Sequence, residues 1–182
     1  MNGFVIENEV LIKYVGENED VVVPQGITTI GALSFAGRQI KSVIIPEGVI
    51  TIGDQAFYEC THLTKIVIPK SVKHIERRAF GYCRKLEEII IPEGVRFIDD
   101  EAFIGCSKLS SVTMRFGTIE IASGCFVGCT SLTSFFIPNS VKRLGYDVLK
   151  GCTNLKEISL PKRFNKFTDH YIGDCSPKIH FK

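Results

Sequence analysis

The chain carries no surplus of charge of one sign: 22 basic residues face 20 acidic ones over 182 positions, both signs interspersed, for a formal charge of +2. A nucleic-acid groove or an anionic membrane surface wants a clustered basic field, so neither is expected as the main partner. There is also no unbroken apolar run near the ~18 residues that a transmembrane helix requires. An apolar share of 45% therefore predicts a packed core and no membrane span. The opening Met1-Asn2-Gly3-Phe4-Val5-Ile6-Glu7 has neither a basic n-region nor a long apolar stretch, so it is not a secretion signal as written. That reading places the protein in the cytoplasm if the chain is full length, and at the cell surface or outside if it is part of a longer one. Low-complexity tails, linkers and lipidation motifs are missing, as are a phosphate loop, a zinc motif and a nucleophile elbow. Gly16, Gly31 and Gly53 are spaced as turns and not as a phosphate cradle, and no cofactor is implied.

What the chain does have is a beat. Cys60, Cys83, Cys106, Cys129, Cys152 and Cys175 recur every 23 residues, and Pro46, Pro69, Pro92, Pro138 and Pro161 keep the same interval. A strict period means one supersecondary unit copied and stacked, so that each copy contacts its neighbours. Units begin at Pro46, Pro69, Pro92, Arg115, Pro138 and Pro161, with a 22-residue version at Pro24, giving seven turns of which the last is incomplete.

The apolar columns within a unit assign its parts. Leu63, Ile66 and Ile68 have L-x-x-L-x-L spacing, the last two alternating inward on a short strand. Their equivalents run through Leu86/Ile89/Ile91, Leu109/Val112/Met114, Leu132/Phe135/Ile137 and Leu155/Ile158/Leu160. Proline closes each strand because it has no N–H to donate. Val49 and Ile52, with Val72/Ile75, Val95/Ile98 and Val141/Leu144, predict a shorter extended piece on the opposite wall. The pairs Ala56-Phe57, Ala79-Phe80 and Ala102-Phe103 predict one helical turn that drops a ring into the core.

Both ends depart from the pattern as caps should. Phe4-Val5-Ile6 and Val10-Leu11-Ile12 flank Glu7-Asn8-Glu9, which reads as a β-hairpin over the first turn. At the far end Phe164, Phe167 and Tyr171 are larger than their counterparts, and Ile179-His180-Phe181 is expected to add an edge strand. The expected organisation is a capping hairpin and loop over 1–20 and a continuous solenoid over 21–182.

The unit C-x-x-L-x-x-I-x-I-P-x-x-V-x-x-I-x-x-x-A-F-x-x-C resembles the BspA-like class of leucine-rich repeats, over about residues 21 to 176. The resemblance implies a leucine-rich-repeat solenoid, β-rich with short helical turns, with a parallel sheet of seven or eight short strands and an N-terminal hairpin cap. Members of that class are typically surface or secreted proteins implicated in adhesion and in binding extracellular host proteins. For this chain it implies a protein-interaction module with no catalytic residues, since the motif consists of core positions. The partner is then a protein of unknown identity, and the chain a monomer or weak homo-oligomer.

The cysteine ladder admits three readings. Neighbours about 5 Å apart lie within reach of a disulfide, several stacked thiols suit a soft metal, and each thiol can simply be a small buried hydrophobe. Arg38 holds the equivalent position in the first turn, which favours the last. Cys125 falls in the alanine column and reads as a small core substitute. Asp169-His170 beside Cys175 is the local cluster with acid, base and thiol, a distant enzyme alternative. Arg115-Phe116-Gly117-Thr118 replaces the P-x-x-V corner and reads as repeat drift or as a binding loop.

The outer face of the strand wall is the candidate binding site. Its central column runs Val22, Ile44, Val67, Ile90, Thr113, Phe136, Ser159, a mostly apolar stripe on a charged surface. Phe136, Ile90, Val67 and Ile44 are its expected apolar centre, with Lys65, Glu88 and Glu157 as a polar rim. Non-catalytic protein recognition or adhesion through Ile44, Lys65, Val67, Glu88, Ile90, Thr113, Ser134, Phe136 and Glu157 is the favoured function. The alternative is a spacer segment of a larger surface protein, the stripe reflecting only the β-propensity of branched side chains.

Overall fold

A computed structural model, describing residues 3–182, winds the chain into a stack of coils with three sides. The first wall carries the L-x-x-L-x-L strands: β3 (Asp20–Val22), β5 (Ser42–Ile44), β7 (Lys65–Val67), β9 (Glu88–Ile91), β11 (Ser111–Met114), β13 (Ser134–Phe136) and β15 (Glu157–Leu160). The expected edge strand is present as β16 (Lys178–Phe181), paired in parallel with β15. Eight strands therefore line this wall, in hydrogen-bonded groups β3-β5-β7, β9-β11 and β13-β15-β16.

The second wall is built from two-residue strands: β4 (Thr29–Ile30), β6 (Thr51–Ile52), β8 (His74–Ile75), β10 (Phe97–Ile98), β12 (Glu120–Ile121) and β14 (Arg143–Leu144). The hairpin of β1 (Phe4–Glu7) and β2 (Val10–Tyr14) joins this wall, through Val10↔Thr29 and Leu11↔Ile30, to give an eight-stranded sheet. Asn8 and Glu9 turn the hairpin at φ 48° and 63°, the paired positive φ of a type I′ turn. The cap thus seals the first coil by extending the shorter strands. A 3-10 helix (Lys162–Phe167) and α1 (Thr168–Ile172) close the other end, with Phe164 and Ile172 buried. The side chain of Phe167, expected in this cap, lies outside the described residues.

The third side replaces the expected helical turns by linked hydrogen-bonded turns. Gln55, Phe57 and Glu59 donate their N–H groups up the stack to the carbonyls of Arg77 (2.9 Å), Ala79 (2.7 Å) and Gly81 (2.8 Å). The residues between them bond back within their own coil, Ala56 to Gly53 (3.1 Å) and Tyr58 to Gln55 (3.0 Å). Such alternation requires left-handed backbone at Gln55 (φ 54°) and Glu59 (φ 55°), and again at Arg78, Tyr82 and Glu101. A right-handed helix excludes those values, so the helical turn gives way to a third ladder.

Inside, the aromatic column is longer than the alanine-phenylalanine pairs suggest. Tyr14, Phe35, Phe57, Phe80, Phe103 and Phe126 form one stack, with ring centroids 4.8 to 5.2 Å apart and neighbouring planes within 12° from Phe35 onward. That separation follows the strand spacing and places the rings in offset stacking, worth about 0.5–1.5 kcal/mol per pair beyond burial. The stack ends where Leu149 takes the next position, and Phe126 turns an edge contact to Phe135 of the first wall, centroids 4.9 Å apart at 60°.

All seven cysteines are free thiols, six of them buried. Each ladder thiol donates to a main-chain carbonyl of the preceding coil: Cys60 to Phe35 (3.0 Å), Cys83 to Phe57 (3.1 Å), Cys106 to Phe80 (3.1 Å), Cys129 to Phe103 (3.4 Å) and Cys152 to Phe126 (3.2 Å). The small-hydrophobe reading holds, with the addition that sulfur supplies a weak donor to the phenylalanine turn. Among the described residues no group of His, Cys, Asp or Glu is placed to hold a metal ion. Burial pushes the thiols of Cys60, Cys106 and Cys152 up to about 12, from an ordinary 9.0.

Two measurements check this packing. Phe80→Ala removes a ring from the middle of the stack and should lower the unfolding free energy by about 3–5 kcal/mol in a denaturant titration. Phe80→Leu, which repeats the residue of the sixth coil, should cost much less, and a loss below about 1 kcal/mol for the alanine variant would contradict the stack. The second concerns alkali. With folded-state thiols raised above their unfolded value, the unfolded chain alone releases these protons as pH climbs from about 9 to about 12, so stability is intact below that window and falls across it. Thermal melts should show this decline, and Cys106→Ala should make it shallower.

Candidate functional site

The expected face is formed as the alternation requires. On the first wall Val21, Val43, Ile66 and Ile89 point into the core, and the residues beside them point out. Val22, Ile44 and Val67 lie opposite one another across β3, β5 and β7, and Ile90 follows on β9. These four side chains are 45–64% exposed, one per coil, over roughly 15 Å of stack. Lys65 and Glu88 stand exposed on the adjacent column.

The C-terminal half of the face has a different chemistry. Thr113 and Ser134 are exposed on β11 and β13, and Phe136 is 41% exposed with the Lys182 ammonium 4.1 Å from its ring centroid. A cation so placed satisfies the ring face, so Phe136 belongs to a capped cluster and the bare apolar row ends at Ile90. No strand ladder joins β11 to β13 among the described residues, and Val112 is accordingly less buried than its counterparts. A cleft of 200 Å³ opens there, lined by Ser111, Val112, Ser134, Phe136, Glu157 and Ser159. The Ser159 hydroxyl is buried in it without a partner. Glu157 itself faces His180, Nε2 to Oε2 3.8 Å.

The irregular corner exposes a ring just past the end of β11. Phe116 is 72% exposed, the largest value among the bulky apolar side chains described, while Thr118 fills the buried valine column. The corner is held from both sides: Gly117 N–H donates to Ser140 Oγ (3.2 Å) and its carbonyl accepts from Arg96 Nη1 (3.1 Å). The missing proline and the ring were visible in the sequence, but the exposure of the ring was not.

In the expected acid-base-thiol cluster, the thiol is held by the main chain. Cys175 donates to the carbonyls of Leu149 (3.0 Å) and Cys152 (3.4 Å), continuing the ladder, and burial pushes its thiol up. A nucleophilic cysteine requires the opposite shift. His170 sits on α1 with its ring 6.1 Å from that of Tyr146.

Comparison with known proteins agrees with this geometry. The family model for the BspA type leucine rich repeat region matches in six copies, over residues 6–116 and 73–180. Among solved structures, a leucine-rich repeat protein from Bacteroides ovatus superposes with a TM-score of 0.81 at 28% identity, covering 94% of this chain and 44% of the other. A leucine rich cell surface protein from Faecalibacterium prausnitzii gives 0.61 at 28% identity, covering 85% and 52%. The T. pallidum leucine rich repeat protein shares the fold, with 0.61 at 22% identity over 98% and 81%. The chain thus spans less than half the length of the Bacteroides ovatus protein, and no curated protein matches it.

Proposed function

We propose, from the premise that the chain belongs to the BspA-type leucine-rich-repeat family, that it is a non-catalytic protein-recognition module of an adhesion type. Proteins of this repeat class are often at the cell surface and generally serve protein interaction, and the family and fold are typically non-catalytic. One solved relative is a cell surface protein, which supports the same location for this chain. No helix among the described residues is long and apolar enough to cross a membrane.

The observation that carries the reading is the row Val22, Ile44, Val67 and Ile90. Their strand neighbours Val21, Val43, Ile66 and Ile89 enter the core, whereas these four stand out along the first wall, the first three in register. Solenoids use such continuous surfaces for binding, and an apolar strip with a charged margin has the composition of an interface core and rim. Lys65 and Glu88 provide that margin. Thr113, Ser134, Phe136 and Glu157 extend the contact past the row, and Phe116 offers an aromatic anchor at the corner. The partner is a protein that lays an apolar ridge along the stack axis.

The test is a paired substitution, Ile44→Ser with Ile90→Ser. Both side chains are about half exposed, so the melting temperature should move by no more than a surface change does, about 0.5 kcal/mol per site. Capture of the partner by immobilised chain should be lost. Strong destabilisation would sink the face assignment, and undiminished capture would sink the site.

A further inference from the structure

The third side of the stack holds a groove that the strand-wall function does not use. We propose that it is a carbohydrate site, which seats one neutral pyranose ring against Tyr146.

The groove follows from one undersized coil. At two adjacent turn positions, successive coils carry Arg77-Arg78, Asp100-Glu101, Ser123-Gly124 and Tyr146-Asp147. The fifth coil is small at both, and a groove of 690 Å³ opens over it between its larger neighbours. Its two walls stand two coils apart, roughly 10 Å, which admits one sugar ring between side chains. Gly124 cannot be enlarged without strain, because its φ is +65° and a Cβ there would come within 3.1 Å of Glu101.

The walls differ in kind. Tyr146 is 67% exposed, and Ile104 and Val127 are the other apolar side chains that line the groove. Its main chain is fixed: Ser123 Oγ accepts the Tyr146 N–H (3.2 Å), and the Tyr146 carbonyl accepts from Gly124 (2.9 Å). Opposite it, Arg78 is paired with Glu101, and Asp100 Oδ1 accepts the Ser123 N–H at 2.9 Å. Asp147 and Lys150 (3.4 Å) close the near rim.

The charges decide the ligand class. Arg77, Arg78 and Lys150 are balanced by Asp100, Glu101 and Asp147, so the groove has no net charge with which to select a phosphate or a polycation. An apolar side chain placed there would desolvate these groups without replacing their hydrogen bonds. A pyranoside has what remains: a C–H face to lie on the aromatic ring, and a rim of hydroxyls that both donate to carboxylates and accept from guanidinium and ammonium groups.

Saturation-transfer NMR and calorimetry on the full chain, with maltotriose, chitotriose and mannotriose as probes, test the site. At least one should bind, and Tyr146→Ala should weaken it about tenfold. Ser123→Arg, which gives the fifth coil the residue that the third carries at Arg77, should fill the groove and abolish binding while the fold is kept, the melting temperature falling only by the loss of the Ser123 Oγ bond to the Tyr146 N–H. Ile90→Ser should leave sugar binding unchanged, which separates this site from the strand wall. The proposal is overturned if no probe shows transfer at about 10 mM, or if binding survives both groove substitutions.

Discussion

A coil of this chain cannot satisfy its own backbone. Most N–H groups that point along the stack find their carbonyls in the adjacent coil, continuously on the second wall, in three groups of strands on the first, and again on the turn side. That constraint keeps the coils close to one length, and the 22-residue first coil still meets its neighbour on all three sides, through Val21↔Val43, Ile30↔Ile52 and the Phe35 N–H to the Ala56 carbonyl. It also explains why side chains stack in columns: with coils held one strand spacing apart, identical positions lie above one another. The phenylalanine rings and the cysteine thiols are then brought together whether or not they attract.

The columns share the work unevenly. The aromatic stack runs through an interior otherwise made mostly of isoleucine, leucine and valine, and the thiols join it to the turn through S–H donors to the phenylalanine carbonyls. Burial that makes these thiols good core residues also makes them poor nucleophiles, since desolvation raises the pKa that reactivity needs lowered. Chemistry is thereby kept out of the interior, and the outer surfaces are left to carry function. On the first wall this means an apolar row on the N-terminal half and a hydroxyl-lined, cation-capped cluster on the other.

Irregularity is where such a molecule acquires individuality. Phe135 in a column of isoleucine and valine lines the cleft between β11 and β13; Arg115-Phe116 in place of the proline corner exposes a ring; Ser123-Gly124 in a column of larger residues opens a groove. A regular stack offers neighbours the same surface everywhere. Each departure makes one place different from the rest.

The period, the inward columns, the strand positions and the hairpin were legible in the sequence, because a side chain's direction on a strand follows from alternation alone and a repeat reports each position several times. The exposed row from Val22 to Ile90 was legible for the same reason. Three things were decided by tertiary structure. The turn side is a ladder and not a helix, since left-handed backbone at Gln55 and Glu59 is set by bonds to the next coil. Phe136 is capped because Lys182, distant in sequence, is carried back over it by β16. The groove at Tyr146 exists only because residues 23 apart become neighbours. Alternation is a local property that a sequence displays directly, whereas a cap or a groove depends on which coil lies next to which, and only stacking settles that.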